Sequence, residues 1–168
     1  MSFTLTAPPT GDQTARYTHL LQQLEGLLHG ERDWVANAAN ASSLLWHTLP
    51  DLNWVGFYFL RAGARGDELI VGPFQGKPAC VRIALGRGVS GTAAATGMTQ
   101  VVPEVHAFPG HIACDAASRS EVVVPLVHAG RVVGVLDLDS PLPGRFDATD
   151  AAGLEQVAAL FCAATDFG

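Results

Sequence analysis

The chain has 168 residues and a mass of 17.6 kDa, enough for one domain with a sizeable core and too little for two. Hydrophobic residues make up 48% of it and charged residues 15%, which excludes a disordered chain and a coiled coil. The 10 basic and 16 acidic side chains give a net charge of −6 without any basic run, which excludes nucleic acid as a partner. Neither a spanning apolar stretch nor a signal peptide is apparent, which predicts a cytoplasmic protein.

Helical patterns dominate the first third of the chain. Residues 1–12, rich in Thr, Pro and Gly, are predicted to form a flexible arm, and residues 13–168 a single domain. Apolar residues at helical spacing predict one helix from Tyr17 to Gly30 and a second from Asp33 to Leu49, which Pro50 ends.

From Asn53 the period changes to two. The strand Asn53–Leu60 places Val55, Phe57 and Phe59 on one face and Trp54 and Tyr58 on the other. Arg61–Asp67 is predicted to be a connection. Further on we expect short strands at Glu68–Val71, Ala79–Ala84 and Gln100–Val102, and a short helix at Gly88–Thr96.

The C-terminal third contains a long segment, Pro103–Ser120, without clear periodicity. Two strands, Glu121–Val127 and Arg131–Asp139, follow around a tight turn, and Asp147 is predicted to cap a final helix. The elements lack the regular alternation of a parallel fold. The predicted fold is therefore α+β, around an antiparallel sheet.

Three carboxylates are candidates for a site. Asp137 and Asp139 share a strand face about 7 Å apart, and counting from the turn places Glu121 opposite Leu136–Asp139 on the neighbouring strand. Buried together, such acids can bind an ammonium or a metal ion, or keep a proton for donation. The alternative is an ordinary strand end exposed to solvent.

The odd number of cysteines suits neither a secreted disulfide framework nor a zinc site of paired CxxC motifs. Cys114 lies in the long segment and Cys80 precedes a predicted strand, and one attacking and one resolving thiol are the minimum for thiol redox chemistry. A cytosolic cysteine can equally be a small buried hydrophobe, which we expect of Cys162.

A metal site formed by His106, His111, Cys114 and Cys80 is a competing hypothesis, but the spacing H-x4-H-x2-C matches no standard zinc pattern. The glycine-rich stretch 86–92 lacks the GKS or GKT ending of a phosphate-binding loop. Trp54 and Tyr58 can form the wall of an apolar ligand pocket or belong to the core.

Five ordered motifs lie between about Trp34 and Ala163. They are Asp51–Tyr58 (DLNWVGFY), Gly72–Cys80 (GPFQGKPAC), Gly110–Ala116 (GHIACDA), Ser120–Glu121 and Gly134–Ser140 (GVLDLDS). Taken together, these motifs resemble those of the free methionine-R-sulfoxide reductases, a family of single-domain enzymes built on the GAF fold.

The resemblance implies a GAF fold with a sheet of about six strands and a homodimer. It implies reduction of free L-methionine R-sulfoxide to methionine through a cysteine sulfenic acid, with thioredoxin as reductant and no bound cofactor or metal. It implies that Cys114 attacks the sulfoxide and that Cys80 resolves the product as a disulfide. It also implies a substrate pocket formed by Glu121, Asp137, Asp139, Trp54 and Tyr58.

One position departs from the family pattern: Ser90 stands where a third cysteine often occurs, so a relay of three thiols is excluded. The alternative function is a GAF module that binds a small ligand without chemistry.

Overall fold

The computed structural model describes residues 3–64, 66–112 and 114–168. Four helices and six strands make up its main elements. In chain order they are α1 (Gln13–Leu28), α2 (Trp34–Thr48), β1 (Trp54–Gly63), β2 (Gly66–Gly76), β3 (Arg82–Ala84), α3 (Gly88–Thr96), β4 (Gln100–Val102), β5 (Ser120–His128), β6 (Arg131–Ser140) and α4 (Ala148–Ala164). A short 3₁₀ helix, Val105–Ala107, lies between β4 and β5.

All six strands belong to one sheet of order β3-β2-β1-β6-β5-β4, and each neighbouring pair is antiparallel. The α+β class and the antiparallel sheet are therefore confirmed. Strands β2, β1, β6 and β5 each have a neighbouring strand on both sides, and β3 and β4, of three residues each, form the edges. Short edges limit the unpaired backbone groups available for pairing with another chain.

Each face of the sheet carries its own apolar cluster. Val55, Phe57 and Phe59 of β1 pack in the larger cluster with residues of α1, α2 and α4. Trp54 and Tyr58, from the same strand, lie in a smaller cluster on the other face with residues of α3. This division follows the period of two that the sequence shows, and it leaves one face for a site.

The hairpin of β1 and β2 is longer than predicted. Arg61 pairs with Glu68 and Ala62 with Asp67, so most of the predicted connection Arg61–Asp67 is paired strand. Polar residues that pair at an exposed hairpin end show no apolar alternation. The sequence pattern therefore did not indicate that these residues belong to strands. Strand β2 also continues to Gly76 instead of ending at Val71, across an irregularity in the register.

The third strand is shorter than predicted. It begins at Arg82 and not at Ala79, so Cys80 lies in the loop before it. Residues 3–12 contain neither helix nor strand, and the Thr6 amide donates a hydrogen bond to the Gln23 side chain on α1. The flexibility of the arm stays a prediction. Within the described ranges, every helix is too short or too polar to cross a bilayer.

Two helical glycines make a matched pair for testing the core. A Cβ on Gly153 in α4 would lie 2.4 Å from the ring of Tyr17, whereas one on Gly26 in α1 would meet no atom within 4 Å. We expect Gly153→Ala to lower the free energy of unfolding by about 1–3 kcal/mol through overpacking. Gly26→Ala should raise it by about 0.5–1 kcal/mol, because alanine loses less backbone entropy in a helix. Denaturant unfolding measures both variants. An unchanged free energy of unfolding for Gly153→Ala would contradict the close packing of Gly153 against Tyr17.

Candidate active site

Three acidic side chains meet on the sheet face that also carries Trp54 and Tyr58. Glu121 on β5 pairs directly with Asp139 on β6, and Asp137 lies two residues earlier on the same face. One carboxylate oxygen of each lies within 4.8 Å of the other two. The register of the β5–β6 hairpin thus brings together the three predicted acids, which we call the acidic cluster.

Burial controls the protonation of the acidic cluster. Glu121 and Asp137 are each only 6% exposed, and Asp139 is partly exposed. Desolvation raises the pKa of Glu121 well above its usual range, and the charges of Asp137 and Asp139 raise it further. Desolvation likewise raises the pKa of Asp137 to about 7, although hydrogen bonds from Ser90 and Glu121 oppose this shift. The cluster therefore holds at least one proton near neutral pH.

Neighbouring polar groups support the cluster. The Ser90 hydroxyl, on α3, donates a 2.8 Å hydrogen bond to Asp137 Oδ2. Nδ1 of His111 lies 4.0 Å from Glu121 Oε2, and burial lowers the pKa of this imidazole. Burial and the charge of Asp137 raise the pKa of Asp139, and a hydrogen bond from Ser118 opposes that rise.

The two predicted redox cysteines are joined. Cys80 and Cys114 form a disulfide with a Cα–Cα distance of 5.7 Å, across 34 positions of sequence. Cys114 is exposed and Cys80 half-buried. Cys162 is buried in the larger apolar cluster, where desolvation raises the pKa of its thiol to about 11, as expected of a core residue.

Residues at the start of β1 hold the two cysteine segments. The Trp54 indole donates to the Lys77 carbonyl at 3.2 Å, and the Tyr58 hydroxyl donates to the Cys80 carbonyl at 3.1 Å. The Asn53 amide donates to Asp115 Oδ2 at 3.3 Å, next to Cys114. The rings of Trp54 and Tyr58 also stack, with their centroids 5.7 Å apart. The two side chains therefore lie beside the acidic cluster and also hold the Cys80 segment through their hydrogen bonds.

A cavity of about 40 Å³, room for a few water molecules, lies between Cys114 and the acidic cluster. Cys114 belongs to its lining and Cys80 does not. The lining consists of Trp54, Tyr58, Lys77, Pro78, Ala79, Ile83, Arg87, Gly88, Val89, Ser90, His111, Ile112, Cys114, Asp115, Ser118, Glu121, Asp137 and Asp139. Every predicted site residue except Cys80 therefore faces one space.

Sequence reasoning gave no role to the lining residues Lys77, Arg87 and Asp115, and it considered His111 only as a metal ligand. Asn53 falls inside a quoted motif, which gave the only signal for it. Ser90 was noted for the thiol it lacks and not for the hydrogen bond it makes. Ser118 lies in the long segment without periodicity and has no sequence signal at all.

The competing metal site of two histidines and two cysteines lacks thiolate ligands in the structure, because Cys80 and Cys114 are bonded to each other. Within residues 3–64, 66–112 and 114–168, the acidic cluster is the group whose oxygens come close enough to hold a cation. Three carboxylates of this kind suit an ammonium group or a hard metal ion.

Comparison with known proteins agrees with the geometry. The family model described as GAF domain matches residues 17–164. The free methionine-R-sulfoxide reductase of Escherichia coli strain K12 is 50% identical over 148 residues, 88% of this chain and 87% of that protein. The crystal structure of a putative GAF sensor protein from Burkholderia vietnamiensis has a TM-score of 0.87 at 56% identity, over 92% of this chain and 96% of that one.

A second solved structure is the free methionine-R-sulfoxide reductase of Neisseria meningitidis in complex with its substrate. It has a TM-score of 0.90 and 46% identity over 97% of this chain and 95% of that one. The chain is thus a GAF-domain protein, and its six-stranded antiparallel sheet is the GAF fold. Within the GAF proteins it belongs to the family of the free methionine-R-sulfoxide reductases.

The raised pKa values give the stability of the protein a defined pH dependence. Folding raises the pKa of Asp137 from 3.8 to about 7, so its contribution is fully present below about pH 4 and is lost as the pH rises through 7. We expect the free energy of unfolding to fall by roughly 2 kcal/mol or more between pH 5 and 8. Asp137→Asn should flatten this slope in denaturant titrations.

The control for this experiment is Asp166→Asn. Asp166 is exposed, and its hydrogen bond with Arg32 lowers the pKa of its carboxyl, so its titration lies below pH 5. This variant should keep the wild-type slope. Equal slopes for wild type and Asp137→Asn would contradict a buried, protonated cluster.

Proposed function

We propose that the protein reduces the R epimer of free methionine sulfoxide to methionine by thiol chemistry. The observation that carries this proposal is the shared cavity: Cys114, already bonded to Cys80, faces the same space as the three carboxylates of the acidic cluster. The names of the Escherichia coli and Neisseria meningitidis relatives support it.

In the proposed first step the Cys114 thiolate attacks the sulfoxide sulfur, and a protonated acid of the cluster donates to the oxygen. The oxygen then passes from the substrate sulfur to the Cys114 sulfur as the transient S–S bond and the original S–O bond break, so methionine leaves and Cys114 becomes a sulfenic acid. Burial raises the pKa of Glu121 well above its usual range, which favours a protonated carboxyl for this donation. Cys114 is favoured as the attacking thiol because it lines the cavity and Cys80 does not.

In the second step the Cys80 thiol attacks the sulfenic acid, which forms the Cys80–Cys114 disulfide and releases water. The Cα–Cα distance of 5.7 Å is within the range that a disulfide requires. Two electrons from an external dithiol then restore both thiols. We propose thioredoxin as that dithiol, a homodimer as the assembly and the cytoplasm as the compartment.

Selection of the free amino acid follows from charge. A free amino acid carries an ammonium group, which the ionised members of the acidic cluster can bind. Trp54 and Tyr58 offer an apolar wall to the side chain. A peptide-linked methionine sulfoxide has no such cation, so the buried acids would remain unpaired against it.

The decisive experiment is a substrate comparison with reduced protein and thioredoxin as electron donor. We expect turnover of the free R epimer, and a kcat/KM lower by about 100-fold or more for the S epimer and for N-acetylmethionine R-sulfoxide. Methionine formation is measured by chromatography. Ligand binding without any turnover would instead favour a sensor module.

Cysteine variants test the order of the thiols. Cys114→Ser should abolish methionine formation, because the attacking sulfur is gone. Cys80→Ser should release roughly one methionine per active site in a rapid burst. Methionine formation should then stop even with thioredoxin present, because no disulfide can form for it to reduce. Cys162→Ala is the control and should keep steady turnover, since Cys162 lies in the core. Sustained thioredoxin-dependent turnover by Cys80→Ser would exclude Cys80 as the resolving residue.

A further inference from the structure

The position of Ser90 is fixed by its backbone and not by its own side chain. Ser90 lies in the first turn of α3 and is 3% exposed. The next residue, Gly91, approaches the Ala84 carbonyl so closely that a Cβ there would lie 2.5 Å from the oxygen. The Gly86 amide donates to the Gly91 carbonyl at 2.8 Å. This close packing against the end of β3 holds the start of the helix in place.

The Ser90 hydroxyl donates its hydrogen bond to a carboxylate and not to the backbone of its own helix. Hydroxyl side chains within helices commonly bond the carbonyl four residues earlier, as Thr92 does here with Gly88 at 2.6 Å. Ser90 instead donates across to Asp137 Oδ2 at 2.8 Å, between two buried groups. A hydrogen bond to an ionised acceptor stabilises the ionised form and fixes its orientation.

The second oxygen of Asp137 is free. Oδ1 is buried and makes no hydrogen bond to any residue the structure describes, while Asp137 itself lines the cavity. The titratable groups that line the cavity with this carboxylate are Glu121, Asp139, Tyr58, His111, Asp115, Lys77 and Arg87, of which the two cations are exposed. A buried, unpaired carboxylate oxygen among them needs a cationic or donor group from a ligand.

We propose that Ser90 is a positioning residue, whose hydroxyl holds Asp137 ionised and oriented so that Oδ1 receives the ammonium group of the substrate. This inference rests on the proposed function for the identity of the ammonium ligand. The proton of the cluster is then left to its other members, Glu121 and Asp139, because burial raises the pKa of both carboxyls. Ser90 touches neither the substrate nor the reacting atoms.

Binding to the reduced protein tests this role without turnover. The probes are L-methionine, which carries the ammonium group, and N-acetyl-L-methionine, which lacks it. In calorimetry, Ser90→Ala should weaken L-methionine binding by about 10-fold or more and leave N-acetyl-L-methionine binding unchanged. In turnover assays KM should rise by a similar factor with kcat within about threefold, and Ser90→Thr should restore both. The acidic limb of the kcat/KM profile should move to higher pH.

The matched control is Ser42→Ala. Ser42 is also fully buried and donates one hydrogen bond, but to the Pro73 carbonyl at 3.2 Å, so its loss should leave both ligands and the pH profile unchanged. Equal weakening of both ligands by Ser90→Ala, together with a lower Tm, would show a merely structural role and overturn the proposal. So would unchanged L-methionine binding. A wild type that binds L-methionine but reduces no sulfoxide would refute the proposed function and leave the binding test of Ser90 valid.

Discussion

The repulsion among three closely spaced carboxylates, two of them buried, is the constraint on which the site depends. Two unit charges separated by about 5 Å repel by roughly 3 kcal/mol at the effective dielectric constant of a protein, and oxygens of Glu121, Asp137 and Asp139 lie within 4.8 Å of one another. Three full charges therefore cannot persist there. Either protons remain on the cluster or a cation binds to it. The proposed reaction relieves the repulsion in both ways, because it protonates an oxygen and binds an ammonium group.

Strand β6 connects this cluster to the core that stabilises it. Leu136 and Leu138 point into the large apolar cluster beneath α1, α2 and α4, whereas Asp137 and Asp139 alternate with them on the opposite face. A slip of one residue in pairing would bury both acids in the core and expose both leucines. The apolar packing on one face thus fixes the register that assembles the acids on the other.

The cluster was accessible to sequence reasoning because its geometry is local. A period of two places Asp137 and Asp139 on one face, and a tight turn fixes Glu121 across the hairpin. Ser90 and Ser118 come from elements far along the chain, so their proximity depends on how α3 and the long loop pack on the sheet. No local pattern encodes that packing. The length of the β1–β2 hairpin escaped prediction for another reason, since its exposed end has no apolar face.

The thiols and the acids occupy parts of the molecule that differ in rigidity. The acids belong to paired strands in the middle of the sheet, where opening the structure costs most of the free energy of folding. The cysteines lie in loops, tied by a few hydrogen bonds to the start of β1. In the proposed mechanism Cys114 meets a sulfoxide first and Cys80 afterwards, which requires a change of side-chain partner. Proton donation and ammonium binding require fixed geometry, because their strength depends on oriented, desolvated groups. A domain of this size accommodates both demands by placing the moving thiols on loops and the charges on strands.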